Sequence, residues 1–272
     1  MLTFGNGPVF EDDNFWNYVR SLRNVQDADY VLLTDNISDE AAAELELFDV
    51  NVVNVPKLTH LFRDRHMAFW NYLNDHGHKY KSIIITDCRD VLFQKSPFEW
   101  IEDWKTRFDN VQGNKSFLDH FVILTAEGFK TSRSGFACVE NFEFQSDLPK
   151  EFLKEMKDKW VVNGGVSLGT YRALMNYHLL VWSMMLKSKG RCTDQAAINY
   201  LMSVLEEDET YCVSFPQHDW LCLTGEGVKE EAVVPVNDDG VLKTPDGRKY
   251  ALIHQWDRLD DSLRSSLLSR LE

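Results

Sequence analysis

The first half of the chain alternates between short β-branched or aliphatic runs and segments of helical character. That alternation constrains the fold more than any other feature. DADYVLLTDN (27–36) reads as a strand ending in Asp-Asn. SDEAAAELELF (38–48) opens on the capping-type Ser38 and has high helix propensity. VNVVNV (50–55) reads as a strand. RDRHMAFWNYLNDHG (63–77) has apolar residues at 67, 69, 70 and 73 and stops at Gly77, which predicts a helix. SIIITDCRDVLFQ (82–94) and HFVILTAEGF (120–129) supply further strands. Strand and helix in turn, at this spacing, predict βαβ units and a mostly parallel sheet. In such sheets ligands sit beyond the carboxyl ends of the strands. Asp35, Asp87, Asp90 and Glu127 all fall at or just after such ends.

The second half is less regular. Residues 132–147 read as a loop, 149–160 as a helix started by Pro149, and VVNGGVSLGT (161–170) as a strand interrupted by a glycine pair. Two helices are expected over 171–188 and 193–207. TYCVSFP, EAVVPV and KYALIHQW read as strands, and 257–272 as a closing amphipathic helix whose leucine stripe packs on the body of the protein. There is no internal repeat, linker or low-complexity segment, so residues 1–272 are expected to form a single domain.

Composition narrows the function classes. Apolar residues make up 44% and aromatics 12%, enough for a substantial core. A net charge of −14 argues against a nucleic-acid binder, which usually presents a basic face. It leaves room for a nucleotide whose charge a divalent cation offsets. The five cysteines include no CxxC pair, so reduced thiols and a cytoplasmic location are expected rather than a disulfide framework or structural zinc. Neither a signal peptide nor a transmembrane run is read in the sequence, so any membrane contact would be peripheral.

Four short constellations could carry chemistry. Asp87-Cys88-Arg89-Asp90 places two carboxylates just past a strand, where they can share Mn²⁺ or Mg²⁺; as a plain surface loop it would pair Arg89 with an acid. Asn163-Gly164-Gly165 is either a bend or a close approach to a hydroxyl-rich ligand. Thr193-Asp194-Gln195 opens a helix, with Thr193 a possible cap, Asp194 in the favourable first turn and Gln195 free to point into a site. His254 ends the strand-like YALI and is a candidate metal or phosphate ligand.

Taken in order, these segments resemble the GT-A glycosyltransferases. They are most similar to the retaining, family 8-type galactosyltransferases and glycogenin-like enzymes, over roughly residues 28 to 258. The resemblance implies a three-layer, Rossmann-like α/β fold with a mostly parallel central sheet. It implies a metal-dependent transfer of a sugar from a nucleoside-diphosphate sugar, UDP-type favoured, to a glycan acceptor, with retention, as in polysaccharide biosynthesis. Asp90 then matches the second acid of the family's metal-binding DxD, and His254 matches its late metal-binding histidine. Cys88 stands where the first acid would be. Either Asp87 takes that role through a shifted turn, or metal is held through Asp90 and His254 with weaker help. Asn163, Gly164 and Gly165 match the segment beside the sugar, and Asp194 and Gln195 the pair near the anomeric carbon. Arg65 resembles a donor-contacting arginine, with Arg63 competing for that assignment. Glu127 and Arg89 are further candidate donor contacts, and Asp35 or the Gly5-Asn6-Gly7 loop could face the base or ribose. Trp220, Trp256 and Phe136 are either sugar-stacking or core aromatics.

Other readings remain open on sequence. A nucleotidyltransferase would carry a basic glycine-rich loop after the first strand, and GNGPVFEDD has no basic residue. A phosphohydrolase would place its nucleophilic Asp earlier in the chain. An inverting transferase would need a carboxylate base, which Asp194 or Glu127 could supply. A degenerate protein that binds sugar nucleotides or glycans without turnover would accommodate Cys88.

Overall fold

The computed structural model describes residues 1–112, 120–130, 154–186, 194–205 and 208–271. The expected loop over 132–147 with Phe136, the start of the helix at Pro149, and the Thr193 cap lie outside the described residues.

The central sheet has seven strands in the order β3-β2-β1-β4-β7-β6-β8. These are β1 (Leu2–Phe4), β2 (Tyr30–Thr34), β3 (Val50–Asn54), β4 (Ile83–Thr86), β6 (Val122–Lys130), β7 (Trp160–Gly169) and β8 (Tyr211–Ser214). The pairs β1–β2, β2–β3, β1–β4 and β6–β8 are parallel, while β7 runs antiparallel to β4 and β6. The sheet is thus mostly parallel, as the strand–helix alternation predicts.

Alternate residues of each strand enter different cores. Val31, Leu33, Ile83, Ile85, Val122 and Leu124 face one helical layer: α3 (Leu61–His76), α5 (Tyr171–Met185) and α6 (Asp194–Val204). Leu32, Ile84, Ile123 and Leu168 face the other: α1 (Asp13–Ser21), α2 (Asp39–Glu46) and α4 (Pro97–Gln112). The result is three layers, helix, sheet and helix. Ser38 caps α2 as expected, its Oγ accepting from the Ala41 N–H at 3.2 Å.

A smaller sheet, β5-β12-β9, lies against the carboxyl edge. It joins β5 (Val91–Phe93), β12 (Leu252–His254) and β9 (Cys222–Thr224). Short α7 (Gly225–Lys229), the hairpin of β10 (Val236–Asp238) and β11 (Val241–Lys243), and α8 (Asp261–Leu268) complete the described elements. Leu259, Leu267 and Leu271 bury against Trp256 and Leu242, so the closing helix packs on the protein body.

Three sequence expectations need correction. Val233 and Val234 precede β10 rather than forming a strand: the Ala232 and Val233 N–H groups both bond to the Gly227 carbonyl in a turn, and Pro235 has no N–H for a ladder. The helix expected up to residue 160 ends sooner, because Trp160 already belongs to β7. Gly77 does follow α3, but at φ −60°, so handedness does not explain it. A Cβ there would lie 2.8 Å from the Tyr171 Cβ, so glycine lets α5 approach.

Candidate functional site

The site forms where β4, β7, β12, α3 and α6 converge. Its first part follows from strand alternation. The Asp87 N–H extends the β4–β7 ladder by donating to the Gly165 carbonyl at 2.8 Å. Asp87 therefore continues the Ile83–Ile85 face, toward α3 and α6. Cys88 continues the opposite face into the core, where its Sγ donates to the Phe4 carbonyl at 3.1 Å. Burial, and next the Asp87 carboxylate, push that thiol up to about 12. Between the two arrangements left open by the sequence, Asp87 is the acid that joins the cluster, and Cys88 is a core residue.

The chain then turns, and β5 pairs with β12 so that Val91 lies opposite His254. This brings Asp90 beside the imidazole. His254 Nε2 is 3.8 Å from Asp90 Oδ2 and 4.0 Å from Asp87 Oδ2. One ligand atom from each of Asp87, Asp90 and His254 lies within 4.8 Å of the others. Burial raises the Asp90 carboxyl above its ordinary value; the His254 imidazole opposes this, and the Asp87 carboxylate adds to it.

Gly165 forms the floor. A Cβ there would lie 2.3 Å from His254 Nε2 and 2.8 Å from Asp87 Oδ2. At Gly164 it would meet Ile198 Cδ1 at 3.3 Å and Asp194 Oδ1 at 3.4 Å, so the two glycines floor adjacent parts of one site.

The second part is a buried ion pair. Arg65 Nη1 donates to Asp87 Oδ1 at 2.7 Å, and Arg65 Nε donates to Asp194 Oδ2 at 3.0 Å. Arg65 Nη2 also donates to Asp194 Oδ2. Asp194 is at the start of α6, and its Oδ1 accepts from the Gln195 N–H at 2.9 Å. Burial alone would raise the Asp194 carboxyl, but Arg65 and His66 hold it well below the usual carboxylate range. Two unlike groups are thereby tied together, the metal-type cluster and the Asp194 carboxylate, through one guanidinium.

The remaining predicted residues divide. Arg63 turns away, pairing with Asp64 at 2.6 Å, so Arg65 alone of the two reaches the site. Gln195 is half-buried beside Asp194, and its carbonyl accepts from Asn199 Nδ2 at 2.7 Å. Glu127 is buried on β6; its Oε1 accepts from Gln255 Nε2 at 3.2 Å, and its Oε2 has no partner among the described residues. Burial pushes this carboxyl up, with His254 opposing.

Asn163 has its partners within the protein. Its Nδ2 donates to Thr125 O at 3.0 Å, and its Oδ1 accepts from the N–H groups of Gly165 and Val166 at 3.1 and 3.2 Å. The side chain is occupied in shaping the glycine turn. Asp35 lies beyond β2, where its Oδ2 accepts from the Leu58 N–H at 2.9 Å and so anchors the loop after β3. Arg89 is exposed and pairs with Asp257 at 3.3 Å, the surface-loop arrangement. Trp220 and Trp256 are 6% and 2% exposed and belong to the core.

Sequence reasoning missed His66, whose Nε2 lies 3.2 Å from Asp194 Oδ2. Its position beside Arg65 was the only available signal. Gln255 was also missed: it holds a left-handed backbone at φ 57° right after His254, and its side chain bridges Glu127 and the Glu226 N–H.

The mostly parallel sheet between two helical layers, with an Asp/Asp/His cluster at its carboxyl edge, matches the GT-A fold. The fold is shared with solved structures of the galactosyltransferase LgtC. One, a complex with donor and acceptor sugar analogues, is 14% identical, with 100% of this chain and 95% of that chain covered and a TM-score of 0.54. Another, an active-site mutant of LgtC, is 13% identical, with the same coverage and a TM-score of 0.55. No protein-family model matches the chain, and no curated protein matches it. Among the described residues, no helix is long and apolar enough to cross a membrane.

Proposed function

We propose that this chain is a single-domain, metal-dependent glycosyltransferase that moves a sugar from a nucleoside-diphosphate sugar to a glycan acceptor. The observation that carries the reading is the Asp87, Asp90 and His254 cluster, with ligand atoms within 4.8 Å, in a GT-A fold. The residues fit a divalent cation. They offer two hard carboxylates and an imidazole, a set suited to Mn²⁺ and tolerant of Mg²⁺. Gly165 keeps side-chain atoms out of the space between them. When bound, the cation would offset negative charge on the departing diphosphate.

The chain's own groups have separable parts in this reading. Asp87, Asp90 and His254 hold the cation. Arg65, fixed between Asp87 and Asp194, ties the two carboxylates together and holds Asp194 ionised beside the donor sugar. Asp194 and Gln195 line the reacting centre, and Gly164 and Gly165 let the sugar approach the strand. Glu127, with a buried carboxylate oxygen that has no partner among the described residues, contacts a sugar hydroxyl.

Retention is favoured over inversion. Both Asp194 oxygens accept hydrogen bonds and its acidity is enhanced, so it is a weak base for an acceptor hydroxyl, and the preference for retention itself rests on the family 8-type resemblance of the motifs. UDP is the favoured nucleotide on the family 8-type resemblance of the sequence motifs. The test is a panel of nucleotide-sugars with and without Mn²⁺, for wild type and Asp90→Ala. Manganese-dependent consumption of one donor, lost in the variant, is expected. No binding or consumption of any donor overturns the reading.

A further inference from the structure

Behind Asp194, away from the metal-type cluster, lies a pair of buried imidazoles that the reaction as described does not use. His66 follows Arg65 on α3, and His178 lies on α5. Their Nδ1 atoms are 2.8 Å apart, and His66 Nε2 is 3.2 Å from Asp194 Oδ2. Each residue is 2% exposed. Phe69 and Tyr177 enclose them, with ring centroids 5.1 and 4.9 Å from that of His178. Helix packing alone does not call for this arrangement. Apolar side chains would fill the same space without burying ring nitrogens, which is costly unless they are bonded.

The hydrogen positions follow from the partners. Asp194 is ionised and only accepts, so the proton on His66 Nε2 faces it. A neutral His66 then has a bare Nδ1, which accepts. The hydrogen between the rings therefore belongs to His178 Nδ1. His178 Nε2 is left bare, in keeping with its having no partner among the described residues. Burial holds both imidazoles below the ordinary histidine range, with Asp194 opposing for His66, and so keeps the pair neutral and the direction single.

We propose that His178 and His66 form a directed hydrogen-bond relay that positions the Asp194 carboxylate toward the donor sugar, an inference that rests on the transferase reading above. Both are positioning residues. Arg65 supplies charge to Oδ2, and the relay fixes the plane of the carboxylate. Oδ1 is thereby held toward Gly164, the sugar-facing side of the site. Loss of a comparable supporting hydrogen bond at metal sites costs about 10- to 100-fold in activity.

Two measurements test this. In wild-type protein labelled with ¹⁵N-histidine, the ring nitrogen spectrum at neutral pH should show His66 as the Nε2–H tautomer and His178 as the Nδ1–H tautomer. A doubly protonated ring at either position, or the reverse tautomers, overturns the relay. In donor turnover, His66→Leu and His178→Leu should lose about 10- to 100-fold in kcat with little change in donor KM. His66→Gln restores an N–H toward Asp194, and His178→Asn restores one toward His66. Both should recover most of the loss. A folded His66→Leu with wild-type kcat, or a folded His66→Gln as impaired as His66→Leu, overturns the proposal. If the leucine variants do not fold, the glutamine and asparagine variants and the tautomers decide. Wild type that neither binds nor consumes any donor instead overturns the transferase reading and with it the relay's role toward the sugar, while the ring nitrogen spectrum still decides whether the relay itself exists.

Discussion

At the scale of single residues, the site depends on which way adjacent side chains point. Asp87 and Cys88 are neighbours, yet one faces the site and the other the Phe4 carbonyl. Replacing Cys88 with Asp, to create an apparent DxD, should therefore not strengthen Mn²⁺ binding. It should lower unfolding free energy by about 3–5 kcal/mol, the cost of an uncompensated buried charge, as measured by urea denaturation. Cys88→Ala should bind Mn²⁺ as the wild type does. Gly165 makes the complementary case. Gly165→Ala would place a methyl 2.3 Å from His254 Nε2, so the imidazole must move. Mn²⁺ affinity should fall about 10-fold or more by titration calorimetry, whereas Gly164→Ala, with its nearest contact at 3.3 Å, should lose less. The sequence showed that Gly164 and Gly165 were special. It did not show which one abuts the ligands, because that depends on where β12 lies.

At the scale of elements, α3 contributes to both site and core. Its Ala68, Phe69 and Leu73 bury against the sheet and α5, while Arg65 and His66, one turn earlier, reach Asp87 and Asp194. Apolar spacing over 63–77 was enough to predict this helix. Among the described helices, α1, α4 and the short α7 were not read from the sequence. In α1, DNFWNYVRS is rich in residues of modest helix propensity. Its helix depends on the Asp12 cap, which accepts from the Asn14 N–H at 2.9 Å, and on burial of Phe15, Tyr18 and Val19. α4 had a readable signal in Pro97 at its first turn, followed by Trp100 and Ile101, both fully buried. The α3–α5 interface also makes a pH prediction. His66 and His178 have folded values below the ordinary histidine 6.5. As pH falls below about 6.5, the unfolded chain takes up protons that the folded chain refuses, so stability is lost on acidification, by up to about 1.4 kcal/mol per pH unit for each. His178→Leu should flatten the fall in urea midpoint between pH 7 and pH 5. An unchanged slope would contradict the burial of a neutral ring.

At the scale of the whole molecule, the site is assembled from distant parts of the chain. Arg65 and Asp194 are 129 positions apart, and His254 arrives on a strand of the second sheet. Metal binding should therefore be linked to global folding. Mn²⁺ at about 100 times its Kd should stabilise the protein by about 2.7 kcal/mol, a rise of roughly 5–10 °C in Tm. Asp90→Ala should abolish that rise. An equal rise in the variant would mean that Mn²⁺ binds elsewhere on this acidic surface, which carries a net charge of −14.

The sequence by itself determined the layered α/β class, because periodicity and turn residues are local properties that each segment carries alone. It also singled out short segments that meet at the candidate site, since carboxylates at strand ends and a paired glycine stand out against an apolar background. Only the tertiary structure decided that Asp87 replaces Cys88 in the cluster, that Arg65 rather than Arg63 enters it, and that Asn163 shapes the strand. It alone brought His178 to His66. Those outcomes depend on which face of a strand or helix meets which neighbour, and burial and pairing across the sheet set that, since no single segment contains both partners.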